Sequence, residues 1–215
     1  MIPSANIHAN SNAKIIFSSL KTVGQHYYYR NSAIDKIFFL NIPKNASSYI
    51  RNTMHFIDNP STEPRSFCIV REPLERFISI YKYMINVEER FDEFFQAFLY
   101  DKDLSNENYI KVGVEHLMPQ SFFVDNAPSE WKKQCQLITM EDFFADGVES
   151  GLQQVGLKSR ISLPNTKVNS SDYDASYKDW IIDKIYKDHS EIFDKYLSQD
   201  SELYQKAKNR EVLIP

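Results

Sequence analysis

One stretch, KIFFLNIPKNASSYIRNTM at residues 36 to 54, constrains this chain more than any other. Lys36 leads a short apolar run, Ile37-Phe38-Phe39-Leu40, rich in β-branched and aromatic types. The run is too short for a buried helix and reads as a buried strand. Pro43 has no N–H to donate and fixes its own φ, so it ends the ladder. Lys44, Asn45, Ala46, Ser47 and Ser48 then turn the chain, and from about Ser47 a helix follows. Tyr49, Ile50 and Met54 are spaced to reach a core, with Arg51 and Asn52 toward solvent. A strand, a turn carrying a lysine and hydroxyls, and a helix N-terminus together make an anion site. The first free N–H groups and the positive end of the helix dipole point at one place. Lys44 adds a mobile point charge, and Ser47 and Ser48 add donors. The plain alternative is a surface turn with ordinary N-capping serines. A nucleoside-triphosphatase P-loop is excluded, because that motif needs glycines at both ends of GxxxxGK. No glycine lies between Gly24 and Gly113.

A second unit decides between these readings. Ser66-Phe67-Cys68-Ile69-Val70-Arg71 is again a short apolar strand ending in a cation, and Glu72-Pro73 breaks it. Pro73 suits the first turn of a helix. Leu74, Phe77, Ile78, Tyr81 and Met84 then recur at three- and four-residue steps, giving one apolar face. Arg71 and Ser79 are placed to face the crevice at the strand ends, where ligands bind in open α/β sheets.

These residues carry a resemblance. IPKNASSYIR resembles the 5′-phosphosulfate-binding loop of sulfotransferases, and CIVREPLERFISIYKY resembles their 3′-phosphate-binding segment. The likeness is closest to the carbohydrate-type families. Their loop reads Pro-Lys, Thr or Asn, Ala or Gly, Ser or Cys, Ser or Thr. A looser likeness runs through His116-Leu117-Met118-Pro119-Gln120, then residues 137 to 143, 163 to 170 and 185 to 193. It covers roughly residues 34 to 197. The resemblance implies one α/β domain over residues 1–215, a central mainly parallel sheet flanked by helices in a P-loop-like nucleotide-binding fold. The implied donor is 3′-phosphoadenosine 5′-phosphosulfate (PAPS), leaving PAP. Lys44 would neutralise the bridging oxygen, Asn45, Ala46, Ser47 and Ser48 would hold the 5′-phosphate, and Arg71 and Ser79 the 3′-phosphate. The acceptor would be a hydroxyl, on a sugar or glycan. His116 is the candidate general base, since imidazole titrates near neutrality; Glu115 and His55 are reserves. A half-buried histidine bonded to the backbone is the alternative for His116. Arg76 reads equally well as a structural ion pair with Glu72 or Glu75.

Composition narrows the classes. A net charge of −4 on 215 residues argues against broad nucleic-acid binding, whereas Lys44, Arg51, Arg65, Arg71, Arg76 and Lys82 crowd the two motif segments and favour a small polyanion. The two cysteines are too few for a disulfide framework, and no CxxC or His/Cys cluster points to a metal. The first thirty residues hold no apolar run of signal-peptide or anchor type. That departs from the Golgi-anchored animal enzymes, so the reading is a soluble, cytoplasmic, microbial protein without membrane association. Asn45-Ala46-Ser47 is also a glycosylation sequon, and a glycan there would block the site. A kinase-like phosphotransferase and a PAP-binding module without turnover remain the competing functions.

Further expectations follow from pattern. Lys14 to Ser18 is a possible edge strand, and Tyr27-Tyr28-Tyr29-Arg30 reads as edge packing, with the lining of a substrate cleft as the alternative. Phe91, Phe94, Phe95 and Phe98 form a helix face. Cys135 to Thr139 is a third strand, followed by one helix from Asp142 with Val148, Leu152 and Val155 apolar and Gly156 at its C-cap. Tyr177 to Leu197 is a long helix with Ile181, Ile185, Ile192, Phe193 and Tyr196 inward. The tail after it is polar and expected to fray.

Overall fold

The computed structural model describes residues 27–31, 36–61, 63–85, 92, 95–96, 114–164 and 175–213. The expected strand at Lys14–Ser18, and Phe91, Phe94 and Phe98, lie outside these. The chain divides into two compact units. The sheet unit comprises described residues between 27 and 72, 120 and 164, and 202 and 213; the helical unit takes those between 73 and 119 and between 175 and 201.

The short apolar runs do become strands. In the sheet unit β1 (Tyr27–Asn31), β2 (Lys36–Leu40), β4 (Arg65–Val70), β5 (Cys135–Thr139) and β7 (Val212–Leu213) form a five-stranded sheet in the order β1-β2-β4-β5-β7. The central pairs β2–β4 and β4–β5 are parallel, and the edge strands β1 and β7 run antiparallel to them. A separate ribbon pairs β3 (Ile57–Asp58) with β6 (Lys158–Ser159). Central parallel strands are buried on both faces and therefore read as continuous apolar runs; Phe67, Cys68, Ile69 and Val70 are all fully buried.

One face carries Ile37, Phe39, Phe67, Ile69 and Ile138, and packs with α1 (Ser47–Thr53), α5 (Met140–Ala145) and α6 (Val148–Gln154) through Tyr49, Ile50, Phe143, Val148 and Leu152. On the other face Phe38 meets Trp131 of α4 (Ser129–Lys132) at 4.8 Å between ring centroids, beside α3 (Gln120–Asp125) in sequence. The central sheet is therefore mainly parallel and flanked by helices.

The region after β5 differs from the single helix expected. Thr139 caps α5, its hydroxyl accepting from the Asp142 N–H at 3.0 Å. The helix then breaks at Gly147, whose φ of 89° a residue with a Cβ would not adopt cheaply. The second helix, α6, ends as expected at Gly156. Its N–H bonds the Gln153 carbonyl, and the Leu157 N–H bonds the Leu152 carbonyl, a Schellman closure. The tail is not frayed. α8 (Ser201–Lys208) buries Leu203 and Ala207, and β7 supplies the edge of the sheet beside Cys135 and Gln136.

The helical unit centres on α2 (Pro73–Ile85) and α7 (Ala175–Ser198). Phe77 is its hub, with ring centroids 4.7 Å from Phe193 and 4.9 Å from Phe95. Ile181, Ile185, Phe193 and Tyr196 of α7 are buried as its spacing predicts, with Ile192 half-buried. Backbone dihedrals leave the helical range at His189, so α7 is kinked there. Among the described residues no helix is long and apolar enough to cross a membrane.

Gly151 tests the sheet unit's packing. A Cβ there would sit 2.2 Å from the Phe143 carbonyl oxygen and 2.9 Å from its ring. Ala ordinarily favours a helix over Gly by up to about 1 kcal/mol, but overpacking costs about 1–3 kcal/mol. Gly151→Ala is therefore expected to destabilise the protein in a denaturant titration, against the usual direction for this exchange.

Candidate functional site

Parallel pairing of β2 with β4 in the register Leu40↔Cys68 brings the chain out of both strands at the same sheet edge. The 41–46 turn and Arg71 are thereby neighbours. In the turn Asn45 N–H bonds the Ile42 carbonyl at 3.1 Å. Lys44 and Ala46 have φ of 70° and 59°, left-handed conformations held without glycine. Each costs on the order of 1–2 kcal/mol for a residue with a Cβ. Ala46 stands where the resembled loops carry Ala or Gly, which matches that backbone demand. Helix α1 begins next, with no side-chain cap, and its first bond runs from Ile50 N–H to the Ala46 carbonyl at 3.1 Å. The N–H groups of Ser47, Ser48 and Tyr49 precede it. Turns with left-handed residues and uncapped helix starts present N–H groups to anions. Ser48 Oγ accepts from Arg51 at 3.3 Å, so an exposed guanidinium stands beside the loop.

What holds this turn is a buried amide pair. Asn45 and Gln120 are both 0 % exposed. Asn45 Nδ2 donates to the Ile69 carbonyl at 2.9 Å and to Gln120 Oε1 at 2.5 Å. Gln120 Oε1 also accepts from the Arg71 N–H at 2.9 Å, and Gln120 Nε2 donates to the Arg71 carbonyl at 2.8 Å. Arg71 Nη1 reaches the Lys44 carbonyl at 3.4 Å. Lys44, Asn45, Ala46, Ser47, Ser48 and Arg71 are thus gathered at one edge of the sheet unit. Sequence reasoning placed Asn45 among the 5′-phosphate contacts, whereas its side chain turns inward to Ile69 and Gln120, and it used Gln120 only as a neighbour of His116.

Ser79 and His116 belong to the helical unit. Ser79 is 4 % exposed on α2. His116 lies in a 3₁₀ turn, Val114–Leu117, half-buried, its ring stacked on Tyr83 with centroids 5.4 Å apart. Arg76, only 2 % exposed, donates from Nη2 to the His116 carbonyl at 3.0 Å. Tyr196 hydroxyl donates to the Leu117 carbonyl at 2.8 Å. Burial drives the Tyr196 phenol upward in pKa, and the nearby Arg76 charge opposes it. Arg76 therefore braces the backbone of the turn that carries His116. Glu75, one of its expected partners, pairs with Lys178.

The cations of the two motifs do not all converge. Arg65 opens β4, at the opposite end from Arg71, against the backbone of Gly156. His55 is exposed, its ring against Phe56. Both cysteines are buried; burial pushes Cys68 well up and Cys135 up to about 12, so both are protonated and inert near neutrality.

A sequence model of the sulfotransferase family matches residues 60–207, more than half of the chain. The chain belongs to the sulfotransferase family. The matched stretch contains β4, Arg71, α2 with Ser79, His116 and Gln120, and the family's chemistry is sulfuryl transfer to an acceptor hydroxyl. The Pro43–Ser48 turn precedes the match, so its assignment stands on its geometry and motif. Comparison with curated proteins gave no significant match, and comparison with solved structures gave none either.

The left-handed turn is open to test. Ala46→Gly relieves the Cβ strain and is expected to leave stability unchanged or raise it by up to about 1 kcal/mol. Ala46→Val, β-branched at φ 59°, is expected to lose at least about 1–2 kcal/mol. Urea midpoints of the two variants check this order.

Proposed function

We propose that the chain transfers a sulfuryl group from PAPS to a hydroxyl of a carbohydrate. The observation that carries this reading is the Lys44–Ser48 turn locked beside Arg71 at the carboxyl edge of a parallel sheet. Arg71, just past a strand end, lies beside the turn with Nη1 3.4 Å from the Lys44 carbonyl, at the carboxyl ends of parallel strands where ligands bind in open α/β sheets. The carbohydrate acceptor rests on the motif resemblance.

Sulfuryl transfer proceeds through a loose transition state, like phosphoryl transfer, and positioning plus electrostatics supply most of the catalysis. The acceptor oxygen forms its bond to sulfur as the bond from sulfur to the bridging oxygen breaks, and PAP leaves. Lys44 meets the charge that develops on that oxygen. The turn's N–H groups with Ser47 and Ser48 hold the 5′-phosphate. Arg71 and Ser79 take the 3′-phosphate, Ser79 on motif alone. His116 accepts the acceptor's proton, an assignment supported by the H-x-x-P-Q motif and by the bracing of its turn through Arg76 and Tyr196.

Lys44→Ala is expected to reduce turnover of labelled PAPS on the order of a hundredfold to a thousandfold, with much smaller loss of PAP affinity. Near-normal turnover at saturating donor would remove Lys44 from the mechanism. The same assay with ATP as competitor addresses the kinase-like alternative, since PAP should displace PAPS far better than ATP.

His116→Asn is expected to slow turnover by ~100-fold or more with PAP affinity retained. Near-normal turnover in the Asn variant would assign the proton transfer elsewhere.

A further inference from the structure

We propose that Gln120 is a positioning residue that fixes the distance between the two phosphate-binding turns, and so selects nucleosides phosphorylated at both the 5′ and 3′ positions. This rests on reading the 44–48 turn and Arg71 as the two phosphate contacts. It adds what sets their spacing.

The argument begins where β4 stops. Val70 is the last residue of the strand, paired with Thr139, and Arg71 follows it outside the ladder. A residue in that position has a backbone N–H and C=O with no strand neighbour to satisfy them, and burial without partners is costly. The primary amide of Gln120 answers both, accepting from the Arg71 N–H at 2.9 Å and donating to the Arg71 C=O at 2.8 Å. It imitates the reciprocal pair that two antiparallel residues exchange, adding one rung beyond the end of the sheet.

The same Oε1 accepts from Asn45 Nδ2 at 2.5 Å, and the second proton of that nitrogen goes to the Ile69 carbonyl at 2.9 Å. No other orientation of either amide works. A backbone carbonyl can only accept and a backbone N–H can only donate, so Ile69 O fixes the Asn45 amide and Arg71 fixes that of Gln120. Three points of the chain far apart in sequence, 45, 71 and 120, are thereby joined through one fully buried side chain.

The consequence for binding is geometric. A nucleotide carrying one phosphate needs one turn in place. One carrying two gains from the second contact only if the turns are already held at the right separation, because any freedom between them must be frozen on binding. Gln120 removes that freedom. It touches neither phosphate in this scheme and acts through the backbone of Arg71 and the side chain of Asn45.

The test is calorimetric titration of the full chain with PAP, adenosine 5′-phosphate and adenosine 3′-phosphate. Wild type is expected to prefer PAP to either monophosphate by about 10- to 100-fold, the worth of one further charge-assisted phosphate contact. Gln120→Met keeps the shape and removes all three bonds. It is expected to cut PAP affinity at least about tenfold while changing each monophosphate by less than about threefold. Gln120→Glu keeps the two acceptor contacts but sets a carboxylate oxygen against the Arg71 carbonyl, so its PAP preference should fall as in the Met variant; it also serves if the Met variant does not fold. Equal loss for all three ligands, tracking a lowered melting temperature, would make Gln120 a structural residue and overturn the proposal. So would full retention of the PAP preference in a folded variant. Absence of any PAP preference in wild type would instead overturn the donor assignment beneath it.

Discussion

The parallel pairing of β2 with β4 is the constraint on which the candidate site depends. Parallel neighbours leave the sheet in the same direction, so the turns that follow them are delivered to the same end of it. Here Leu40 stands opposite Cys68, and the residues after each strand, the Lys44 turn and Arg71, are brought within hydrogen-bonding reach. An antiparallel arrangement of the same segments would have sent them to opposite edges. The third strand, β5, ends at the same edge, where Thr139 changes role from ladder member to helix cap.

The turn itself solves a backbone problem by other means than a P-loop does. Nucleotide loops commonly rely on glycine for left-handed residues, because glycine adopts them without steric cost. This loop places Lys44 and Ala46 there and offsets the strain from outside, by anchoring the intervening Asn45 into a buried network. A loop held by its neighbours is less free than one built of glycines, which suits a site whose catalysis is mostly positioning. A fully buried polar network is favourable only when each member is satisfied. The three bonds on Gln120 satisfy both ends of its amide and the two on Asn45 use both protons of Nδ2, while Asn45 Oδ1 is buried without a partner, a cost the network carries.

Most of the regular structure was legible in the sequence, for identifiable reasons. Lys36–Leu40 and Cys135–Thr139 are short apolar runs bounded by turn residues, and the structure begins and ends them as read. Pro73 opens a helix because its missing N–H is no loss at that position. The family was legible from the same two turns. What escaped was whatever depends on partners remote in the chain. β7 is two residues long, carries no alternation of its own, and is a strand only because β5 offers it an edge. The break at Gly147 was hidden because apolar spacing continues across it. Gln120 gave no local sign of its task, since its partners are Asn45 and Arg71 and no periodicity links them. Arg76 read as a 3′-phosphate-segment cation or a structural ion pair with Glu72 or Glu75, and its bond to the His116 carbonyl depends on the helix packing of its unit.

The order of segments along the chain has a further bearing, on how the protein is made. The sheet unit is interleaved with the helical unit: the chain leaves it after residue 72, returns at 120, leaves again and comes back after 201 to lay down β7 against β5. During synthesis on a ribosome the free edge of β5 has no strand partner until residues 212 and 213 emerge. Contacts so distant in sequence form slowly, and an exposed strand edge invites pairing with other chains. Until those two residues are made, the chain carries the 41–46 turn and Arg71 on a sheet whose β5 edge is still open.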